Sequence, residues 1–153
     1  DKFISLIESM RTKLYSKLLT KVLFYHFALI QEPKLGAGTS TGFLIFFQIE
    51  DKSTITAVST LSPESEVPVT SLNCLNRGIN ILISSFANGL LRLATFDGEL
   101  IAEFFAHSRQ INAISCHPSR SVFCTVGDDT FVNLFEVTGI DQIQSTLKYD
   151  IPN

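Results

Sequence analysis

The sequence predicts an all-β protein made of about three four-stranded antiparallel units, preceded by a short N-terminal amphipathic helix. Short runs rich in β-branched and aromatic residues alternate with turn residues from residue 22 onward. Turn residues Thr41, Asn88 and Asp129 recur at intervals of 47 and 41 residues. Because the interval is nearly constant, the pattern indicates one supersecondary unit that occurs three times.

Apolar residues within positions 3–23 follow helical spacing, while Lys13, Lys17 and Lys21 recur on another face. We therefore expect a basic amphipathic helix over roughly residues 2–20. Such a helix can lie on an anionic membrane or bind a partner. It can equally pack on its own chain or be foreign to the β domain, so we leave open whether residues 1–21 belong to that domain.

The first β unit begins with an apolar, aromatic-rich run over residues 22–30. A hairpin at Thr41-Gly42 then joins the predicted strands Lys34–Thr39 and Phe43–Ile49. Thr54–Thr60 alternates as an exposed strand should. The segment that follows, Leu61–Pro68, holds two prolines and two glutamates and is predicted to be a loop.

The second unit contains Asn88-Gly89 between apolar runs, which is the strongest short hairpin signal in the chain. Around it we expect turns at Asn76-Arg77-Gly78, Ala87-Asn88-Gly89 and Asp97-Gly98, and strands over Val69–Leu75, Ile79–Ser85, Leu90–Phe96 and Glu99–Phe105.

In the third unit, turn chemistry at Pro118-Ser119-Arg120 and Asp128-Asp129-Thr130 separates three period-2 runs. The predicted strands are Gln110–Cys116, Ser121–Gly127 and Phe131–Val137, with a turn at Thr138-Gly139 and a last strand over Gln144–Tyr149.

The third unit also resembles a WD repeat. In that family Gly-His is followed, after a gap, by Asp six residues before Trp-Asp. Here Ala106-His107 occupies the Gly-His place, and Asp129 lies six residues before Phe135-Glu136. Phe47-Gln48 and Ala94-Thr95 stand at the equivalent places of the other units. The resemblance implies a partial WD-repeat-like β-propeller.

By this resemblance Asp129, His107 and Thr125 are expected to form one hydrogen-bonded group. The fourth member of the family's network is a Trp indole, and Phe135 in its place cannot donate a hydrogen bond. We expect three consecutive blades over residues 22–153. Because propellers usually have four to eight blades, such a ring is incomplete, and we expect the missing blades upstream.

Composition is that of a globular protein, with 45% apolar and 18% charged residues. Residues 35–153 carry six Lys/Arg against twelve Asp/Glu, so nucleic-acid binding there is disfavoured. An odd number of cysteines, three, argues against a disulfide scaffold and favours a reducing, cytoplasmic setting. No apolar run reaches the length of a membrane span, so membrane contact is expected only through residues 2–21.

No residue set indicates catalysis or a cofactor. His107, Cys116, His117 and Cys124 raise the question of zinc, but Cys116 and His117 are adjacent on or beside a strand and point to opposite faces. We expect Cys124 to be buried in a central strand. Asp128 and Asp129 are ordinary turn formers. The sequence therefore predicts no enzyme, no metal and no cofactor.

The resemblance implies a non-catalytic scaffold that binds other proteins or peptides through exposed loops, with a peripheral membrane adaptor using the basic helix as the alternative. In the family, the second hairpin of each blade and the loop between blades share one face. That candidate partner face comprises Ser40, Thr41, Glu64, Glu66, Ala87, Asn88, Ser108, Arg109 and Asp128. With one cation among these acidic and polar side chains, we expect a basic or polar peptide partner.

Overall fold

Twelve strands form three four-stranded antiparallel sheets in a computed structural model that describes residues 24–29, 34–50, 55–63, 65–77, 79–139 and 142–151. The predicted helix over roughly residues 2–20 lies outside the described residues. Each sheet is a meander in which neighbouring strands are also neighbours in sequence. The all-β prediction is thus confirmed for the described part of the chain.

We name the sheets I, II and III in chain order. Sheet I contains β1 (Phe24–Leu29), β2 (Lys34–Thr39), β3 (Leu44–Ile49) and β4 (Ile55–Leu61). Sheet II contains β5 (Val69–Arg77), β6 (Ile79–Phe86), β7 (Leu90–Thr95) and β8 (Leu100–Phe105). Sheet III contains β9 (Ile111–Cys116), β10 (Val122–Gly127), β11 (Phe131–Gly139) and β12 (Gln142–Asp150).

Two strands continue into segments that were predicted to be turns. β5 continues to Arg77, where the sequence suggested a turn at Asn76-Arg77-Gly78, and β11 continues through Thr138-Gly139. In both places the strand finds a partner across the ladder, since Arg77 pairs with Ile79 and Gly139 pairs with Gln142. Pairing satisfies backbone groups that a wider turn would leave to water, which explains the longer strands.

The sheets stack through two apolar clusters, one at each interface. Between sheets I and II, Leu44 and Phe46 pack with Leu82, Phe86 and residues around them, and the rings of Phe46 and Phe96 meet edge to face at 5.9 Å. Between sheets II and III the cluster is larger and comprises Leu75, Ile81, Ile83, Leu91, Leu93, Ile111, Ile114, Phe123 and Phe135. Burying a Leu, Ile or Phe side chain contributes about 1.5–3 kcal/mol, so these interfaces are the main source of stability.

The first strands of the sheets lie side by side. β5 contacts both β1 and β9, and Asn73 Nδ2 on β5 donates to the Ile114 carbonyl on β9 (3.2 Å). The fourth strands, β4, β8 and β12, lie at the opposite edges of their sheets. This arrangement places every second hairpin and every connection between sheets at the same end of the molecule.

Backbone angles repeat along with the sequence. Gly42, Gly89 and Thr130, each directly after one of the recurring turn residues, have positive φ values of 87°, 86° and 69°. Burial also repeats at the places equivalent to the family's Trp, because Phe47, Ala94 and Phe135 are all buried. The three sheets are therefore structural repeats of one unit. The third repeat has Thr130 at the positive φ that glycine adopts without strain in the other two.

Candidate functional site

Three hairpins and the two connections between sheets form a continuous row at one end of the molecule. Ala87 N–H donates to the Pro68 carbonyl (3.0 Å), which ties the second hairpin to the connection before it. On its other side, Ala106 N–H donates to the Gly89 carbonyl (3.0 Å). Asp128 N–H donates to the Gln110 carbonyl (2.9 Å) and extends the row to the third hairpin.

Close packing fixes this row. A side chain at Gly42 would begin 2.6 Å from the Val67 carbonyl oxygen, and one at Gly89 would begin 2.1 Å from the His107 carbonyl oxygen. Only glycine permits these approaches at positive φ. The connections are therefore held against the hairpins by backbone contacts.

A buried polar network anchors the third hairpin. The side chain of His107 is fully buried, and its Nδ1–H donates to Asp129 Oδ1 (2.7 Å), because a carboxylate can only accept. The Thr125 hydroxyl then donates to His107 Nε2 (2.8 Å). The structure thus brings together His107, Thr125 and Asp129.

Asp129 also accepts hydrogen bonds from two backbone groups, Ser108 N–H (2.9 Å) and Phe131 N–H (3.2 Å). Burial of this carboxyl group favours its neutral form, but the hydrogen bond from His107 and the two from the backbone outweigh burial. They lower the pKa of Asp129 to about 2. The carboxylate is consequently charged at any physiological pH and holds the loop and the hairpin together.

Phe135 lies beside this network without a polar role. Its ring stacks on Phe123 with a centroid distance of 5.0 Å and an interplanar angle of 19°, and Phe104 lies 5.5 Å away. Asn133, two residues earlier on β11, supplies the polar contact instead. Its Nδ2 donates to the Ala106 carbonyl (2.6 Å) and lies 3.3 Å from His107 Nε2.

Sequence reasoning missed Asn133 and its counterpart on sheet II. Arg92 lies 41 residues before Asn133, is also buried, and donates from Nη1 to the Ser62 carbonyl in the connection before its sheet (3.2 Å). Arg92 also forms an ion pair with Glu103. The available signal was a polar residue flanked by apolar residues at the same position of two strands, Leu90–Thr95 and Phe131–Gly139.

The candidate partner face lies on the row of hairpins and connections. Glu66, Ser108, Arg109 and Asp128 are exposed. The remaining described members, Ser40, Thr41, Ala87 and Asn88, are half-buried, and Glu64 lies outside the described residues. Several face residues also support the turns, since Asn88 Oδ1 accepts from Leu90 N–H (3.1 Å) and Asp128 Oδ1 accepts from Asn112 Nδ2 (2.6 Å).

The residues considered for zinc do not gather. Within the ranges that the structure describes, no group of three or more His, Cys, Asp or Glu side chains could hold a metal ion. His117 is exposed, and its Nδ1 accepts from Ser119 N–H (3.1 Å). Burial, with a smaller effect of a neighbouring cysteine, raises the pKa of Cys74 and of Cys116 to about 12, so both remain protonated and unreactive.

Cys124 is half-buried, and the prediction that it is buried was wrong. Strand alternation places it on the face of sheet III that points away from sheet II, opposite the buried Phe123 and Thr125. Among the described residues no further sheet covers that face. No helix among them is long and apolar enough to span a membrane.

Comparison with known proteins identifies the architecture. The structure superposes on the crystal structure of Sqt1 from Saccharomyces cerevisiae, a WD40 β-propeller protein, with a TM-score of 0.76 over 87% of this chain. The chain has a WD-repeat-like fold. Sequence identity is 12%, and the match spans 37% of the Sqt1 chain, so the likeness concerns the fold alone. No protein-family model and no curated protein matches the sequence.

Proposed function

We propose that this chain is a non-catalytic interaction scaffold of the WD-repeat type, which binds a protein or peptide through the candidate partner face. The observation that carries the proposal is the continuous row of hairpins and connections, held by the hydrogen bonds of Ala87, Ala106 and Asp128. A preorganised loop surface loses little conformational entropy when a partner binds. Loops placed by a rigid scaffold are common binding sites.

Charge suggests the partner's chemistry. Among the described residues of the face, Glu66 and Asp128 are exposed acids and Arg109 is an exposed cation, while the hairpins contribute hydroxyl and amide groups. A basic or polar peptide suits this face better than an acidic peptide or a nucleic acid. We place this activity in the cytoplasm and assign no cofactor to it.

Among WD-repeat proteins, we propose a closer similarity to WD repeat-containing protein 54. Asn88-Gly89, Ala106-His107 and the run Gly127–Val132 resemble, in type and spacing, the C-terminal blades of that protein. Under this proposal residues 22–153 are three consecutive blades of an incomplete ring.

Charge reversal tests the partner face directly. Glu64→Lys combined with Glu66→Lys should change the set of proteins captured from a cell lysate, and the retained partners should elute at lower salt than from the wild type. Glu136→Lys is the matched control, because Glu136 is exposed on β11 but lies outside the face. Identical captured sets for wild type, double variant and control would show that this face is not the binding surface.

The alternative function is a peripheral membrane adaptor that uses residues 2–21, which lie outside the described residues. Their Lys13, Lys17 and Lys21 favour anionic lipid. Flotation of the chain with anionic liposomes, with and without residues 1–21, separates the two functions. Flotation that requires those residues supports the adaptor, and absence of flotation supports the scaffold.

A further inference from the structure

The side of sheet I that faces away from sheet II carries buried apolar residues. A Cβ added at Gly36 would lie 2.9 Å from the Leu82 side chain, so Gly36 points toward sheet II. Strand alternation turns its neighbours Leu35 and Ala37 to the opposite side, and Phe47 shares that side because it pairs with Leu35. Leu35, Ala37 and Phe47 are only 3%, 0% and 3% exposed. Part of the chain therefore covers this side of sheet I.

The three described sheets do not account for that burial. They stack in the order I, II, III, so within the described ranges no sheet lies on the outer side of sheet I. Sheet III shows the exposure of an uncovered side, because the residues of its central strands that point away from sheet II are only half-buried, namely Cys124, Val126, Val132 and Leu134. The cover on sheet I thus comes from residues outside the described ranges.

The cover is narrower than a sheet. Ala57 of β4 pairs with Phe47 and lies on the same side of sheet I, yet it is exposed. On the other side of β4, sheet II does reach the strand, since a Cβ added at Gly98 would meet the Ser59 hydroxyl. The cover therefore lies over β2 and β3 but not over β4. An α-helix with its side chains is about 10–12 Å across, which matches two or three strands spaced about 4.8 Å apart.

The segment over residues 2–20 has the sequence and the length to supply this helix. Its apolar residues recur at intervals of four, three, four and four and form one narrow stripe on a helix, namely Phe3, Ile7, Met10, Leu14 and Leu18. A helix of this length extends about 28 Å, whereas the six residues of β2 extend about 20 Å. The segment is also tethered nearby, because β1 begins at Phe24 and lies beside β2.

We propose that residues 2–20 form a helix that packs its apolar stripe on Leu35, Ala37 and Phe47 and covers the outer side of sheet I. Arrays of structural repeats need such a cover at a terminal unit, with a polar surface turned to solvent. A stripe that is buried on sheet I cannot at the same time lie on a membrane. The inference does not involve the candidate partner face, so its failure leaves the scaffold function untouched.

Met10 tests the contact directly, because it is the only methionine of the chain and belongs to the apolar stripe. The intact chain is made with photo-methionine, whose diazirine inserts on illumination into groups that it touches, and is then digested with trypsin. We expect a cross-link between the tryptic peptides 3–11 and 35–52, because the second contains β3 and all of β2 except Lys34. Mixing ¹⁵N-labelled with unlabelled chains identifies the source. Pairs within one chain support the proposal, whereas pairs only between labelled and unlabelled chains would assign the cover to a second copy and overturn it.

Two matched variants separate the apolar stripe from the rest of the segment. Leu14→Glu places a charge in the stripe and should lower the yield of the cross-linked pair at least about tenfold. Thr12→Glu adds the same charge on the opposite side of the helix and should change the yield less than about twofold. Absence of the pair in the wild-type chain, or equal yields for the two variants, would overturn the proposal.

Discussion

Replacing Asp129 by alanine should destabilise the protein by about 2–3 kcal/mol, mainly by stranding His107. The carboxylate has three hydrogen-bonding partners from nitrogen, namely His107 Nδ1–H, Ser108 N–H and Phe131 N–H. His107 has a fully buried side chain, so its Nδ1–H cannot turn to water. Losing the partner of one buried donor costs about 1–3 kcal/mol.

The other two donors contribute less. Ser108 is exposed, and water can replace the carboxylate at its N–H. Phe131 is half-buried, so losing the hydrogen bond of its N–H costs less than about 1 kcal/mol. The total loss of stability therefore lies in the upper part of the range for one buried donor that has lost its acceptor.

Urea unfolding followed by circular dichroism measures this loss as a lowered midpoint at an unchanged slope. Asp128→Ala is the matched control, because Asp128 is the adjacent carboxylate, is exposed, and among the described residues its carboxylate accepts only from the exposed Asn112 side chain. We expect the control to cost no more than about 0.5 kcal/mol. Equal midpoints for the two variants would refute the assignment of Asp129 as the anchor of the hairpin.

Four further predictions concern Asp129, the ion pair of Arg92, the turn at Gly89 and the uncovered face of sheet III. Because the folded protein lowers the pKa of Asp129 from 3.8 to about 2, the stability that this carboxylate contributes is present above about pH 4 and lost as pH falls toward 2; thermal midpoints of Asp129→Ala should fall less than wild type over that window. Arg92→Leu removes the partner of the part-buried Glu103 carboxylate and should cost about 1–3 kcal/mol in urea unfolding, and adding Glu103→Leu should recover part of it. Gly89→Ala should cost about 2 kcal/mol or more, seen as a lowered thermal midpoint, because φ is +86° and the hairpin abuts a carbonyl. The isolated chain should self-associate in sedimentation experiments, and Tyr149→Glu on the uncovered face of sheet III should reduce that association; a monomer with a sharp calorimetric melt would contradict this.

Strand positions were predictable because turn chemistry and period-2 alternation are local. The structure has Lys34–Thr39 as predicted, and the ends of most other strands differ by one or two residues. The errors at Arg77 and Gly139 arise because strand pairing, rather than residue preference, decides where a ladder ends. The composition of the network around His107 was accessible only through the resemblance to a repeat, since nothing local indicates that residues 22 positions apart in sequence meet.

The sequence of a strand does not show whether a neighbouring sheet covers it. Ile81 and Ile83 of sheet II are buried because sheet III packs on them, whereas Val122 and Cys124, 41 residues later on sheet III, are half-buried. Alternation assigns both pairs to the same side of their sheets, so only the presence of a neighbouring sheet distinguishes them. The same reasoning applies to Asn133: its side of the strand was predictable, but the cavity beside it is lined jointly by sheet III and by Phe104 and Phe105 of sheet II. Sites that form between repeats therefore depend on pairs of units, and a single repeat motif cannot reveal them.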